Sequence, residues 1–322
     1  VLSSSKRICD HLDDYCVFLK KYATISDYRP RINHVDNYIR PVVGDMRISQ
    51  VSEADWESVL RRAHNKGLSH KYISNIRSTI IHFCKYAKKN KHLSSIPDID
   101  PRIYRSAPRG TRRILSPDDI RILFSSEHEM MLVAGEEVPC ENILLFRAYV
   151  LSGFRPGEGL GLRKKDINFD DKTITLERSV NFYGEITKGK TDNARRTICM
   201  APQLESVIRS QLHRTEEIKS EYVFPDTSTE RIGMPQLQKR VHYDWKRWTA
   251  YNLNNYCSLY ELRHTLFSYA KNHLSEERLK EYFGHTESMN SSEVYGHAVF
   301  IELRRTAELL SNVFSSLIPC DD

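Results

Sequence analysis

Residues 94–113, SSIPDIDPRIYRSAPRGTRR, carry three prolines and no apolar repeat of helical period. No long helix can run through them, since each proline removes a backbone donor and clashes with the preceding turn. The chain is therefore divided, and each side has to bury an apolar core of its own. Its 322 residues are enough for two such domains without staples. The expected organisation is a first domain over 1–105, a basic linker over 106–113, a second domain over 114–298 and a terminal helix and tail over 299–322.

Before the break the pattern is helical throughout. Ile8, Leu12, Tyr15, Val17, Phe18, Leu19 and Tyr22 recur close to every 3.6 residues, which predicts a helix with these residues on its apolar face. A second helix is expected over RINHVDNYIRPVV, ended by Pro41 and Gly44. In SEADWESVLRRAHNKG, Ser52 stands at the N-cap, acids fill the first turn and Gly67 follows the last. The longest stripe is Ile73, Ile76, Ile80, Phe83, Cys84 and Ala87. Short helices of this kind make a small all-α bundle.

Beyond the break both kinds of element are expected, giving a mixed α+β domain, mostly helical, with a small antiparallel sheet. Ser116 caps LSPDDIRILF, Pro117 takes the first helical position, and Asp118 and Asp119 face the positive end of the dipole. SSEHEMMLVAGEEVPCEN reads as a loop insertion, and ENILLFRAYVLSG as a buried helix closed by Gly153. KTITLERSV and GEITKGK…ARRTICM are β-rich runs around a turn, with Lys188 and Lys190 at a hairpin tip. Helices resume at PQLESVIRSQLHR, MPQLQKRVHYDWKRWTAYN, YELRHTLFSYAKNHL, SEERLKEYFGH and SSEVYGH. A last stripe, Phe300, Leu303, Ala307, Leu310, Val313, Phe314 and Leu317, can dock on its own domain or on a neighbour's.

The net charge of +6 is unevenly placed. Residues 1–105 hold 19 Lys and Arg against 11 Asp and Glu, a net +8, and Arg109, Arg112 and Arg113 extend the excess into the linker. Lys66, Lys71, Arg77, Lys85, Lys88, Lys89 and Lys91 lie on polar faces suited to gripping phosphates. Such a balance fits a polyanion partner, most simply the nucleic-acid backbone, although a solvated basic face has the same composition. Seven scattered cysteines without a CxxC pair read as reduced thiols. No apolar run of about 18 residues occurs, so no membrane span is expected. The chain opens on Val1 rather than Met, which is consistent with a preceding domain.

The second domain holds polar residues where a core or a cap would otherwise stand. Arg155 follows the helix stop in SGFRPGEGLGL, with Glu158 three residues on. Tyr260, Arg263 and His264 share one helix face at i, i+3 and i+4, while Leu262 points to the core. Gly284 ends a helix directly before His285, and Tyr295 follows ten residues later. Singly, each reads equally well as an ion pair, a solvated lysine or a structural ring. Together they suit one reaction. Two arginines can clamp the non-bridging oxygens of a phosphodiester, a lysine can protonate the leaving 5′-oxygen, a histidine can take a proton and a tyrosine can attack phosphorus. This chemistry needs neither metal nor other cofactor, and none is expected; the sequence has no Walker loop and no HExxH motif.

The order Arg155-x-x-Glu158, Lys190, LRHT with Arg263, GH with His285, and a late Tyr295 resembles the tyrosine recombinases, the integrase family. The resemblance covers nearly the whole chain, with HKYISNIRSTIIHFCKYAKKNKHLSSIP similar to the family's core-binding domain and residues from about 114 similar to its catalytic domain. It implies Arg155 and Arg263 as the phosphate clamp, Lys190 as general acid, His285 as phosphate ligand and Tyr295 as nucleophile. Glu158 and His264 are implied as supporting residues. The family's second-box position, most often His or Lys, falls on Tyr260, a departure because a phenol with pKa near 10 is a poor base at neutral pH.

The resemblance further implies a site-specific recombinase that integrates or excises a mobile element through a 3′-phosphotyrosine and a Holliday junction. Its partner would be double-stranded DNA, held by a homotetramer on two duplexes in the bacterial cytoplasm, with an accessory bending or excision factor. Two same-chemistry alternatives are a chromosome-dimer-resolving recombinase and a type IB-like topoisomerase. A third, of another class, is a catalytically disabled, sequence-specific DNA-binding protein.

Overall fold

The computed structural model describes residues 6–188, 195–284, 297–315 and 317–318, and of 297–301 the helical backbone only. It divides into two compact units, Val1–Thr111 and Arg112–Asp322, with the division inside the basic stretch 106–113.

The first unit is helical: α1 (Ile8–Tyr22), α2 (Ile25–His34), a π-helical turn (Val35–Ile39), α3 (Arg40–Val43), α4 (Glu53–Asn65) and α5 (His70–Lys89). The apolar stripe of α1 is narrower than the sequence pattern suggests. Ile8, Leu12, Tyr15 and Leu19 are buried, but Val17 is 67% and Tyr22 68% exposed. Nine residues from Ile8 place Val17 on the opposite side at 100° per residue, and Tyr22 ends the helix. The second helix starts earlier than expected, at Ile25, accommodates Pro30, and runs through Pro41 to end at Val43, with Gly44 as its cap. The π turn shifts the hydrogen-bond ladder, so Pro41 falls in the first turn of α3, where no N–H is needed.

Ser52 caps α4 through Asp55 N at 3.3 Å, and the Asp55 carboxylate accepts from Ser52 N at 2.8 Å, closing a reciprocal box. Ile73, Ile76, Ile80, Phe83, Cys84 and Ala87 of α5 are all fully buried, in one cluster with Leu12, Tyr15, Trp56 and Leu60. The proline-rich stretch carries no long helix, as expected, but it is not all linker. It forms a 3-10 turn at Pro101–Tyr104 and adds Ile99, Tyr104 and Ala107 to the core of the first unit. The few apolar residues between the prolines therefore pack, and only 108–114 is continuously exposed.

The second unit opens with α6 (Pro117–Phe124), boxed by Ser116 and Asp119 as expected. The segment read as a loop insertion is a hairpin, β1 (Met130–Val133) and β2 (Glu136–Pro139), closed by Ala134 and Gly135, both with positive φ. A two-residue turn of that kind matches the right-handed twist of paired strands. Next come α7 (Ile143–Ser152), buried nearly throughout, and the short α8 (Pro156–Gly161).

Five short strands follow: β3 (Ile167–Asn168), β4 (Thr173–Leu176), β5 (Ser179–Val180), β6 (Ile186–Thr187) and β7 (Arg196–Cys199). They form two antiparallel sheets, β3-β4-β7 and β5-β6, rather than one. The remaining helices are α9 (Pro202–Arg214), α10 (Gln238–Asn252), α11 (Glu261–Ala270), α12 (Glu276–Phe283) and α13 (His297–Phe314). α10 begins four residues later than its pattern, because Pro235 pairs with Pro225 in an isolated bridge and Arg231 and Arg240 both reach the buried Asp226.

A single core joins these elements. Phe146, Trp245, Leu262, Leu266 and Phe283 are buried together with Ala307, Leu310, Val313, Phe314 and Leu317. α13 thus lays its stripe on its own unit, where Gln203 Nε2 of α9 also donates to Ser311 Oγ at 3.0 Å. The side chain of Phe300 and residues 291–296 of the SSEVYGH segment lie outside the described residues. No described helix is long and apolar enough to cross a membrane.

Candidate active site

The site begins at a helix stop. α7 ends at Gly153, whose φ of 64° is left-handed; a Cβ there would stand 2.7 Å from Phe283 Cε1. The chain leaves extended through Phe154 and Arg155, and Pro156 opens α8. Glu158 then returns to Arg155, accepting from its backbone N at 2.9 Å and from Nη1 at 2.7 Å. The spacing Arg-x-x-Glu is therefore a helix start that orients its own first guanidinium.

A second arginine reaches the same carboxylate from the sheet. Arg196, first residue of β7, places Nη1 and Nη2 at 2.9 Å each on the two oxygens of Glu158, and its Nε donates to Tyr282 O at 3.0 Å. The third comes from α11. Arg263, 2% exposed, donates through Nη1 to Gly153 O at 2.7 Å and through Nη2 to Phe283 O, with its guanidinium over the Phe283 ring. The α7–α8 turn, β7, α11 and the end of α12 thus converge on one cluster.

The electrostatics follow from burial and charge. Glu158 is only 4% exposed. Burial alone opposes its ionisation and is the largest influence, but the hydrogen bonds and charge of Arg196, with Arg155, outweigh it and hold the carboxyl down at about 2. Arg263 is pushed down to about 10, first by desolvation and then by Arg196 and Arg155, while Glu158 and Tyr260 pull the other way. It remains cationic at neutral pH. Arg155, Arg196 and Arg263 therefore surround Glu158 with an excess of positive charge among the described residues, which is what a phosphate needs.

Tyr260 and His264 are neighbours across one turn, their rings edge to face at 5.3 Å. Tyr260 is 41% exposed, whereas Leu262 is fully buried, as the helix-face reading expects. His264 is lowered from its ordinary value by burial and then by the charges of Arg112 and Arg263, so it is neutral at pH 7. Gly284 caps α12 with a left-handed φ of 61°. Lys190, His285 and Tyr295 lie outside the described residues. Lys188 is exposed and directly follows β6, while the β5–β6 turn is at 181–185, held by Asn181.

In the first unit, Lys66, Lys71, Lys85, Lys88, Lys89 and Arg109 are exposed. Arg77 is less open than these lysines. It is half-buried and its Nε donates to Ile99 O at 2.9 Å, tying the proline-rich stretch to α5. In the second unit Arg112 and Arg113 are exposed, with Arg113 N bound to Glu261 Oε1 at 2.8 Å. Arg196 was not among the site residues expected from sequence. Strand alternation gives no signal for it, since the adjacent Ile198 and Cys199 are both buried and the two faces of β7 are covered alike.

The sequence profile of the phage integrase family matches residues 115–300, more than half of the chain. The chain belongs to the phage integrase family. This family is that of the tyrosine recombinases, in agreement with the resemblance of the motifs. Its fold, mostly helical with small antiparallel sheets, recurs in solved integrase structures. The Tn1549 transposon integrase in complex with a circular intermediate DNA is 17% identical, with a TM-score of 0.73 over 88% of this chain and 92% of that one. The same integrase in complex with transposon right end DNA gives 17%, 0.71, 94% and 99%. A lambda integrase tetramer bound to a Holliday junction gives 18%, 0.65, 90% and 81%. At such identities the likeness is one of fold. Among curated proteins, none matches the sequence.

Proposed function

We propose that this integrase-family protein is a site-specific DNA recombinase of a mobile element, cutting and rejoining strands through a 3′-phosphotyrosine. The observation that carries the reading is the cluster of Arg155, Arg196 and Arg263 about the buried Glu158, in the second unit of a chain whose motif order is that of the family. In this reading Arg155 and Arg263 hold the non-bridging oxygens and take up the charge that develops at phosphorus. Tyr295 Oη forms the new bond to phosphorus, the bond from phosphorus to the 5′-oxygen breaks, and Lys190 supplies the proton that the leaving oxygen takes. His285 is a phosphate ligand. The proton of Tyr295 passes to His285, to water or to the phosphate, since Tyr260 is a poor base near neutral pH.

Double-stranded DNA is the partner, gripped by residues 1–105 as a core-binding domain and by residues 114–298 as the catalytic domain. Lys66, Lys71, Lys85, Lys88 and Lys89, with Arg109, Arg112 and Arg113, supply phosphate contacts. The transposon integrase complexes and the lambda integrase tetramer on a Holliday junction support a mobile element and a tetrameric assembly here.

The test uses end-labelled DNA carrying the ends of the encoding element, nicked near the crossover so that the released fragment diffuses away, in the presence of EDTA. A covalent protein–DNA band mapping to Tyr295, and lost in Tyr295→Phe with DNA affinity retained, is the expected result. Cleavage by Tyr295→Phe at the wild-type rate would overturn the assignment. Tight binding without a band would favour the disabled DNA-binding protein, for which the phenol at position 260 is the motivating feature.

A further inference from the structure

We infer that Arg196 is a positioning residue of this site, fixing Arg155 through Glu158 while anchoring the last turn of α12, from which the chain passes directly to His285. The catalytic consequences rest on the recombinase reading above; the positioning itself rests on geometry. All three nitrogens of the Arg196 guanidinium are engaged within the protein, two on the separate oxygens of Glu158 and one on Tyr282 O. Its side chain is 8% exposed, against 32% for Arg155. Arg196 is thus occupied in building the site, and Arg155 is the more exposed of the two arginines on Glu158.

The support is rigid. Arg196 is paired with Leu176 at the end of the β4–β7 ladder, so its main chain is held by the sheet. From there it does two separate jobs. It neutralises a carboxylate that is otherwise served by Arg155, which frees Arg155 from having to turn fully inward. It also takes a carbonyl at the C-terminal end of α12, next to the carbonyl taken by Arg263, so that consecutive residues Tyr282 and Phe283 are bound by the two arginines. Both jobs need the planar fork. A lysine, with one compact ammonium, can serve Glu158 or Tyr282 O but not the three acceptors together.

The experiment compares the full chain with Arg196→Gln, Arg196→Lys, Glu158→Gln and the Arg196→Gln/Glu158→Gln double variant on the nicked duplex. DNA affinity and the single-turnover rate of adduct formation at saturating DNA are read separately. The expected result is unchanged affinity with a rate loss of about 10²-fold, the scale of a misplacement of about 1 Å. The double variant should be no slower than the slower single one, because the two residues act as a unit. A wild-type rate in Arg196→Gln, or losses that multiply in the double variant, would overturn the inference. Should Arg196→Gln fail to fold, Arg196→Lys carries the same comparison with the charge retained and the fork removed.

Failure of the recombinase reading is separable, because wild-type protein that binds DNA without forming an adduct sinks that reading alone. The positioning role is then decided by the ¹⁵N spectra of arginine Nε–H groups in DNA-free protein. Loss or rapid exchange of the Arg155 and Arg263 signals in Arg196→Gln supports it, and unchanged signals overturn it.

Discussion

Replacing Glu158 by Gln tests the electrostatic core of the site. The change keeps the shape and removes the carboxylate that Arg155 and Arg196 share. Glu158 is held at about 2 against an ordinary value of 4.5, which corresponds to about 3 kcal/mol of folding stability at neutral pH. The sign is that of a depressed carboxyl: the contribution is complete above pH 4.5 and is lost as the pH falls toward 2, because the unfolded chain takes up its proton first. Leaving the largely buried Arg196 guanidinium without its anion adds to the loss, in the range of about 3–5 kcal/mol for a broken buried pair.

Trp245 and Trp248, stacked and buried in the second unit, report its unfolding by fluorescence in a Trp56→Phe background, which silences the first unit. Urea titrations of both proteins should then differ by at least about 3 kcal/mol at pH 7. That difference should hold down to the ordinary glutamate value of 4.5 and shrink steadily below it. A gap that stays constant through the acid range, or one below about 1 kcal/mol at pH 7, would refute the coupling argued here.

Three further perturbations probe other parts of the molecule. Gly153→Ala places a methyl group 2.7 Å from Phe283 Cε1 and 3.0 Å from Leu266 Cδ2 at a φ of 64°, and should destabilise the second unit by roughly 1–3 kcal/mol in urea. It should also slow adduct formation, since Gly153 O is an acceptor for Arg263. His11 is buried with neither ring nitrogen bonded, and burial followed by His92 and Lys6 lowers it from 6.5. The unfolded chain therefore protonates first, so the first unit loses stability as pH falls through and below 6.5, and His11→Leu should reduce that slope when Trp56 fluorescence is followed. An unaltered slope would show that His11 is not the group responsible. Tyr260→His supplies an imidazole near neutral pKa and is expected to raise the rate of adduct formation around pH 7; a lower rate would mean that the phenol itself is in use.

Much of the local structure was legible in the residues. The stripe from Ile73 to Ala87, the Ser52 and Ser116 caps and the Gly153 and Gly284 stops are short-range patterns, and the structure places each where the period and the cap chemistry require. Elements with weaker local signals were misread. The hairpin at 130–139 has four-residue strands, MMLV and EEVP, without a regular alternation, so periodicity does not mark it. Pro41 looked like a stop because the π turn that ends two residues before it leaves no mark in the sequence. That Ile99, Tyr104 and Ala107 join the core is not visible in the proline-rich stretch itself, because burial there depends on α4 and α5 rather than on neighbours along the chain.

The sequence by itself determined the class of chemistry and the order of the groups: an Arg-x-x-Glu helix start, a Tyr-x-x-Arg-His turn, a Gly-His after a helix and a late tyrosine. Only the tertiary structure decided how the described arginines among them are held. Arg196 meets Glu158 across 38 residues, and Arg263 meets Gly153 across 110. The physical reason is that most of these acceptors are main-chain carbonyls, at Gly153, Tyr282 and Phe283, and every residue carries one. Side-chain identity announces a donor such as Arg196, but the carbonyl that receives it is chosen by packing alone.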